Sequence, residues 1–156
     1  MPKPIPDAYR GATPYIIVND AAKAIEFYQR AFGATEYVRL ADSTGKVMHA
    51  ELRIGSAQIM LADEFPEMGY RSPQSLGGSA VSMLFFVEDV DALVAQATAA
   101  GAVVKDAVAD QFDGDRRGTL IDPYGHVWLV ASRKEDISAE ELRRRFEAML
   151  KQGEPT

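Results

Sequence analysis

Residues 47–63 read VMHAELRIGSAQIMLAD. Two apolar runs flank Gly55-Ser56, a pair suited to a tight turn, so the stretch predicts a β-hairpin. Side chains alternate faces along a strand, which puts His49 and Glu51 on the same side of the first arm. A histidine and a carboxylate on one face of a largely apolar hairpin form the most chemically loaded pair in the chain.

Working outward, a strand is expected at Thr13–Val18, with Pro14 suiting a strand start. Asn19 or Asp20 then caps a helix over Ala21–Ala31. Its apolar positions Ala24, Ile25, Phe27, Tyr28, Ala31 and Phe32 repeat at helical spacing, and Gly33 ends it. A strand at Thr35–Ala41 and a turn at Asp42-Ser43-Thr44-Gly45 lead into the hairpin. Before all of this, residues 1–12 carry three prolines and read as an extended arm.

On the far side, residues 64–78 are rich in Gly, Pro and Ser and read as a linker. The order of elements then starts again. A strand is expected at Ala80–Val87, a helix from Glu88 to about Ala100 ending at Gly101, and a strand at Val103–Val108. Gln111–Gly118 (QFDGDRRG) reads as a polar loop and Thr119–Ile121 as a short strand. Asp122-Pro123-Tyr124-Gly125 is a turn, and His126–Ala131 is the last strand.

Residue numbers test the repeat. Val18 to Val87 is 69 positions, Gly33 to Gly101 is 68, Gly45 to Gly114 is 69, and Gly55 to Gly125 is 70. Local text matches at the same spacing: IIVND with FFVED, FGAT with AGAV, IMLAD with WLVAS. The chain is therefore read as an internal duplication of a β-α-β-β-β unit. The fold class is α+β: two tandem βαβββ modules at about 11–63 and 79–133, in one domain spanning 1–133. Each module has a helix on one face of its sheet, so the other face needs a cover. Sheets paired across those faces enclose a small-molecule cavity.

Composition bounds the function. The chain has 156 residues, 47% of them hydrophobic and 26% charged, with a net charge of −6 and no cysteine. Disulfides, thiolate metal sites and cysteine nucleophiles are excluded. No basic cluster marks a nucleic-acid footprint, and no apolar run approaches the roughly 20 residues of a membrane span. The N-terminus lacks the apolar core of a signal peptide, so a soluble cytoplasmic protein without membrane or nucleic-acid partners is expected.

The strings FYQRAFGA, HAELRIG, QFDGDRRG and DPYGHVW, set in the duplicated unit, resemble the vicinal oxygen chelate superfamily, which includes glyoxalase I, bleomycin-resistance proteins and extradiol dioxygenases. The narrower resemblance is to its PhnB-like branch, and it covers about Gly11–Arg133. It implies four strand positions at which metal enzymes of the superfamily hold their ion; motif alignment puts these at Thr13, Glu51, Ser82 and Leu129. One carboxylate, two hydroxyls and a leucine are a poor donor set for a divalent cation. No metal site is therefore assigned, and no cofactor is expected, a divalent metal remaining the minor alternative. No glycine-rich strand-loop-helix for S-adenosylmethionine is present either.

Strand parity then lines the cavity with Tyr15, Ile17, Ser82, Leu84, Phe86, Val127 and Leu129, while Val81, Met83, Phe85 and Val87 turn toward the second helix. Candidate ligand-binding residues are Tyr15, His49, Glu51, Ser82, Phe86 and Arg116. If the cavity desolvates Glu51, its pKa rises and it becomes a candidate general base, with His49 assisting. Arg116 and Arg117 are either an anion clamp or ion pairs with Asp113 and Asp115. His126 and Trp128 read as packing and turn hydrogen bonds.

Residues 134–156 are a separate extension. Ser138-Ala139-Glu140-Glu141 is a capping box, and Leu142, Phe146, Met149 and Leu150 form an apolar stripe that has to dock on the body or on a second subunit. In the superfamily the cavity can lie between two chains, so a homodimer is expected. Two functions follow from the resemblance: a binding protein that sequesters a small organic ligand, as antibiotic-sequestering relatives do, or a metal-dependent lyase or isomerase of the glyoxalase type.

Overall fold

The structure, a computed structural model, describes residues 1–153. The first module runs β1 (Tyr15–Val18), α1 (Ala21–Phe32), β2 (Thr35–Ala41), β3 (Val47–Ile54) and β4 (Ala57–Asp63). A connecting segment holds a single 3-10 turn (Pro66–Met68) and a short helix, α2 (Pro73–Leu76). The second module runs β5 (Ser82–Phe86), α3 (Val90–Ala100), β6 (Val103–Asp110), β7 (Asp115–Ile121) and β8 (Val127–Arg133), and α4 (Ala139–Gly153) follows.

The sheets have the same topology, β1-β4-β3-β2 and β5-β8-β7-β6, with one parallel pair each. Register carries the duplication to the atom level. Tyr15 pairs with Met60, and Leu84, 69 positions later, pairs with Leu129, itself 69 after Met60. The caps repeat as well. Asp20 accepts the N–H of Lys23, and Asp89 accepts the N–H of Ala92. Inside each module one buried polar side chain ties the last strand to the helix start. The Asp63 carboxylate accepts the N–H groups of Ala21 and Val47 at 2.8 and 2.7 Å. In the second module the Ser132 hydroxyl accepts the N–H of Val90 at 2.9 Å and donates to the Val87 carbonyl at 2.7 Å.

The six helical-face positions of α1 are all buried. They pack on β3 and β4 and, across the module boundary, on α3 and β8, making one continuous core. The Phe32 ring lies 5.2 Å from Phe85 and 4.9 Å from Trp128. Phe85 thus packs on the helix of the first module, and Val81 is exposed instead of packed. A buried aromatic such as Phe32 contributes about 2–3 kcal/mol, so Phe32→Ala is expected to cost about 3–5 kcal/mol. His126 Nε2 donates to the Ile17 carbonyl at 2.9 Å, a further link between modules.

The modules meet through the helix-bearing sides of their sheets, and the opposite faces stay open. Tyr15, Leu84 and Phe86 are 48, 47 and 50% exposed. A closed interior between the sheets of one chain is therefore not formed.

Two local expectations are corrected. QFDGDRRG is a turn only as far as Gly114; Asp115–Gly118 are the first half of β7, paired with β8. Charges are tolerated there because they pair. Arg117 reaches Asp113 at 2.9 Å, and Arg133 reaches Asp115 at 2.8 Å. Gly118 is required at its place: a Cβ would sit 2.9 Å from Val108 Cγ2. The connecting segment is also more ordered than a linker. Gly125 of the DPYG turn has φ +88°, and a Cβ on it would meet the Pro73 ring at 2.8 Å, because α2 lies against that turn. Gln74 Nε2 donates to the Pro123 carbonyl at 2.7 Å.

In α4, Ser138 accepts the N–H of Glu141, the forward half of a capping box, while the Glu141 carboxylate turns to Arg144 and Arg145. Phe146 packs on Phe112 at 5.8 Å. Leu142, Met149 and Leu150 stay largely exposed, so the stripe is only partly docked. No helix among the described residues is long and apolar enough to cross a membrane.

Candidate functional site

Alternation along β3 buries Ala50, Leu52 and Ile54 against α1 and turns His49 and Glu51 to the open face. Tyr15, Met60, Glu51 and Val38 stand in one cross-strand row through β1, β4, β3 and β2. His49, two residues from Glu51, bridges this row. Its Nε2 lies 3.1 Å from Glu51 Oε1, and its Nδ1 lies 2.9 Å from the Tyr15 hydroxyl. The neutral tautomer protonated on Nε2 satisfies both contacts: Tyr15 O–H donates to Nδ1, and Nε2–H donates to Glu51. The two rings, 5.6 Å apart and tilted by 35°, form an aromatic wall beside the carboxylate.

The second oxygen of Glu51 has a partner that sequence patterning did not indicate. Tyr9, in the N-terminal arm, donates its hydroxyl to Glu51 Oε2 at 2.6 Å. The Tyr9 bond and then the His49 bond hold the Glu51 carboxyl below the usual carboxylate range, and the same carboxylate pushes the Tyr9 phenol up to about 12. Glu51 is thus ionised at neutral pH. This reverses the expectation of a desolvated carboxyl with a raised pKa. A carboxylate stabilised as the anion is a weak general base and a strong hydrogen-bond acceptor.

Tyr15 connects this cluster to a cleft. Between the edge strands β1 and β5, under residues 71–81, lies a cavity of about 730 Å³ lined by Tyr15, Ile17, Ser82, Leu84, Leu76 and Trp128 among others. Tyr15 and Ser82 both line it. The remaining candidates do not converge on it. Phe86 lies beyond the cleft under the Arg133 guanidinium, 5.4 Å from its ring centroid. Arg116 is tied to Asp91 by two bonds of 2.7 and 2.9 Å and to Asp110 at 3.1 Å. It is an ion-paired residue joining α3, β6 and β7, and its partners differ from the Asp113 and Asp115 of the sequence reading. Arg117 has those two.

The internal repeat also re-places one of the four family metal positions. Thr13 and Ser82 are 69 apart, but the residue related to Leu129 by that spacing and by strand pairing is Met60 on β4. Glu51 faces Met60 from the neighbouring strand. The equivalent positions are therefore Thr13, Met60, Ser82 and Leu129, two hydroxyls, a thioether and an alkyl group. That set does not fit a hard divalent cation. Among the described residues, no three His, Asp or Glu side chains converge as a metal group.

Tyr9 and Met60 escaped the sequence reading for different reasons. Tyr9 lies in a stretch without periodicity, 42 residues from its partner. Met60 was legible: the IMLAD and WLVAS match already aligns it with Leu129.

Comparison with known proteins agrees with this architecture. Residues 12–130 match the description of the Glyoxalase/Bleomycin resistance protein/Dioxygenase superfamily. The chain is 42% identical over 145 residues to the uncharacterized protein Rv0887c of Mycobacterium tuberculosis, covering 91% of this chain and 84% of that one. The X-ray structure of the Arabidopsis thaliana At5g48480 gene product superposes with a TM-score of 0.64 at 27% identity, over 79% of this chain and 98% of that one. The PhnB protein of Bacillus cereus shares the fold at 18% identity with a TM-score of 0.62, over 79% of this chain and 99% of that one.

Proposed function

The chain belongs to the Glyoxalase/Bleomycin resistance protein/Dioxygenase superfamily, and from that membership we propose that it is a small-molecule-binding protein that sequesters an organic ligand without a complete metal centre. The carrying observation is the donor set. The positions related by the internal repeat hold Thr13, Met60, Ser82 and Leu129, while Glu51 is engaged by Tyr9 and His49. What the open face offers instead is apolar and aromatic surface around one ionised carboxylate, the usual make-up of an organic-ligand site.

The ligand lies on the open sheet faces, with Glu51 as polar anchor and Tyr15 leading into the cleft toward Ser82. A second copy of this chain completes the cavity. Exposed Tyr15, Leu84 and Phe86 and the half-docked stripe of α4 support that partner, since contiguous apolar surface of this kind marks interaction sites. No nucleic acid or membrane enters this reading, and the cytoplasm is its compartment.

The test uses untagged full-length protein. Thermal-shift screening against aromatic and apolar compounds is expected to find stabilising ligands whose effect is lost in Glu51→Ala, while calorimetric titration with divalent ions shows no stoichiometric site. Stoichiometric metal that is lost in Glu51→Ala, together with turnover of a hemithioacetal, overturns the proposal in favour of a glyoxalase-type enzyme.

A further inference from the structure

We infer that Tyr9 of the N-terminal arm stands in for the ligand: the Glu51 face selects compounds that present a phenolic hydroxyl, and the arm withdraws when one binds. This inference rests on the ligand-binding reading above and specifies the ligand's class.

The arm is built to be displaced. Of residues 1–12, Tyr9 is the one that is half-buried; the rest are exposed. Among the described residues, its bond to Glu51 is the one side-chain hydrogen bond from this arm to the body of the chain. The other arm contacts are internal. Asp7 pairs with both Lys3 and Arg10, and Tyr9 N–H donates to the Pro6 carbonyl. These curl the arm into a small loop that presents one phenol.

Each oxygen of Glu51 takes one donor with the arm docked. Oε1 takes the imidazole N–H of His49, which in turn accepts from Tyr15, so that oxygen is held by side chains of the body of the chain. Oε2 has Tyr9 alone. A phenol on a ligand replaces a neutral O–H by a neutral O–H and leaves the chain Tyr15–His49–Glu51 unchanged. Its ring would find the Tyr15 and His49 rings and the apolar row neighbours Met60 and Val38, which flank Glu51 on either side. A phenol is also the better donor to a carboxylate than an aliphatic hydroxyl, being more acidic. Because arm and ligand compete for one oxygen, the apparent affinity of the ligand is reduced by the fraction of chains with the arm docked.

The test is calorimetry with 4-ethylphenol, 4-ethylanisole and benzylamine on full-length wild type, Tyr9→Phe and Glu51→Gln. The first two probes share a ring, and only 4-ethylphenol, which keeps its proton at neutral pH, carries the donor. 4-Ethylphenol is expected to bind wild type, to bind Tyr9→Phe about tenfold tighter, as loss of one charge-assisted hydrogen bond implies, and to bind Glu51→Gln more weakly than either. 4-Ethylanisole is expected to bind poorly throughout. Equal affinity of wild type and Tyr9→Phe for 4-ethylphenol, equal binding of 4-ethylanisole, or preference for benzylamine overturns the inference. If other compounds bind through Glu51 without phenol preference, only this inference falls. If no compound depends on Glu51, the sequestering reading falls with it.

Discussion

Tyr28 of α1 donates its hydroxyl to Asp122, 94 residues further along the chain, inside the core where the two modules meet. Asp122 also accepts the Trp128 indole N–H at 2.9 Å and the backbone N–H groups of Tyr124 and His126 at 2.9 and 3.0 Å. One buried carboxylate therefore shapes the DPYG turn and fastens it to the helix of the other module. Tyr28→Phe removes a single donor and is expected to cost about 1–2 kcal/mol. Asp122→Ala strands a hydroxyl, an indole N–H and two backbone donors, and is expected to cost at least about 3 kcal/mol. Urea unfolding of the two variants, with unchanged m-values, checks the order.

The same pair sets an alkaline limit. Burial, and then the Asp122 charge, push the Tyr28 phenol well above its ordinary value of 10.0. A raised folded-state value means stability that is whole below the ordinary value and is lost as pH climbs from there toward the folded one. Wild type is expected to lose stability more steeply than Tyr28→Phe above about pH 10. Denaturant midpoints from pH 8 to 11 measure this; parallel curves would contradict it.

Docking of the arm is expected to be limited on the acid side. The Glu51 carboxyl is held below its ordinary 4.5 by Tyr9 and then His49. A lowered folded-state value favours docking above that ordinary value, and the advantage fades as pH falls through the folded one. On the alkaline side the contact is whole below the phenol's ordinary 10.0 and is lost as pH climbs from there toward about 12. A tyrosine-selective NMR label on Tyr9 should report release in acid. Glu51→Gln should remove the acid transition, and its survival in that variant would contradict the assignment.

A second copy is expected to cover the open faces. Light scattering should give twice the 17.1 kDa chain mass for wild type. Leu84→Asp, on a face that is half exposed in the single chain, should give a folded monomer by circular dichroism. A dimer that survives Leu84→Asp and also Phe86→Asp would place the contact elsewhere.

Periodicity made most of the fold legible. The apolar face of α1, the 47–63 hairpin and the spacing of 69 all rest on local patterns, and all recur in the structure. β7 was half missed because Asp115, Arg116 and Arg117 read as loop composition; their charges are paired there by Asp91 and Arg133 from other elements as well as by nearby Asp113. For the same reason the choice at Arg116 between an anion clamp and an ion pair, and the ion-pair partners themselves, could not be read from local sequence. The faces of Tyr15, Ser82 and Leu84 were assigned correctly by parity. Which surface covers them is not a local property, and the helix-to-helix meeting of the modules could not be read from alternation. Tyr9 was least legible: a contact from an aperiodic arm to Glu51 leaves no trace in spacing.

The central claim is that Glu51 anchors an organic ligand rather than a metal. It is tested most directly by exposing untagged wild type and Glu51→Gln to a small-molecule extract of cells, then identifying the retained compounds by mass spectrometry and retained metals by elemental analysis. The account predicts organic compounds, aromatic among them, that are held by wild type and depleted in Glu51→Gln, with no stoichiometric metal in either. Identical compounds on both proteins, or a stoichiometric divalent metal lost with Glu51, would contradict it.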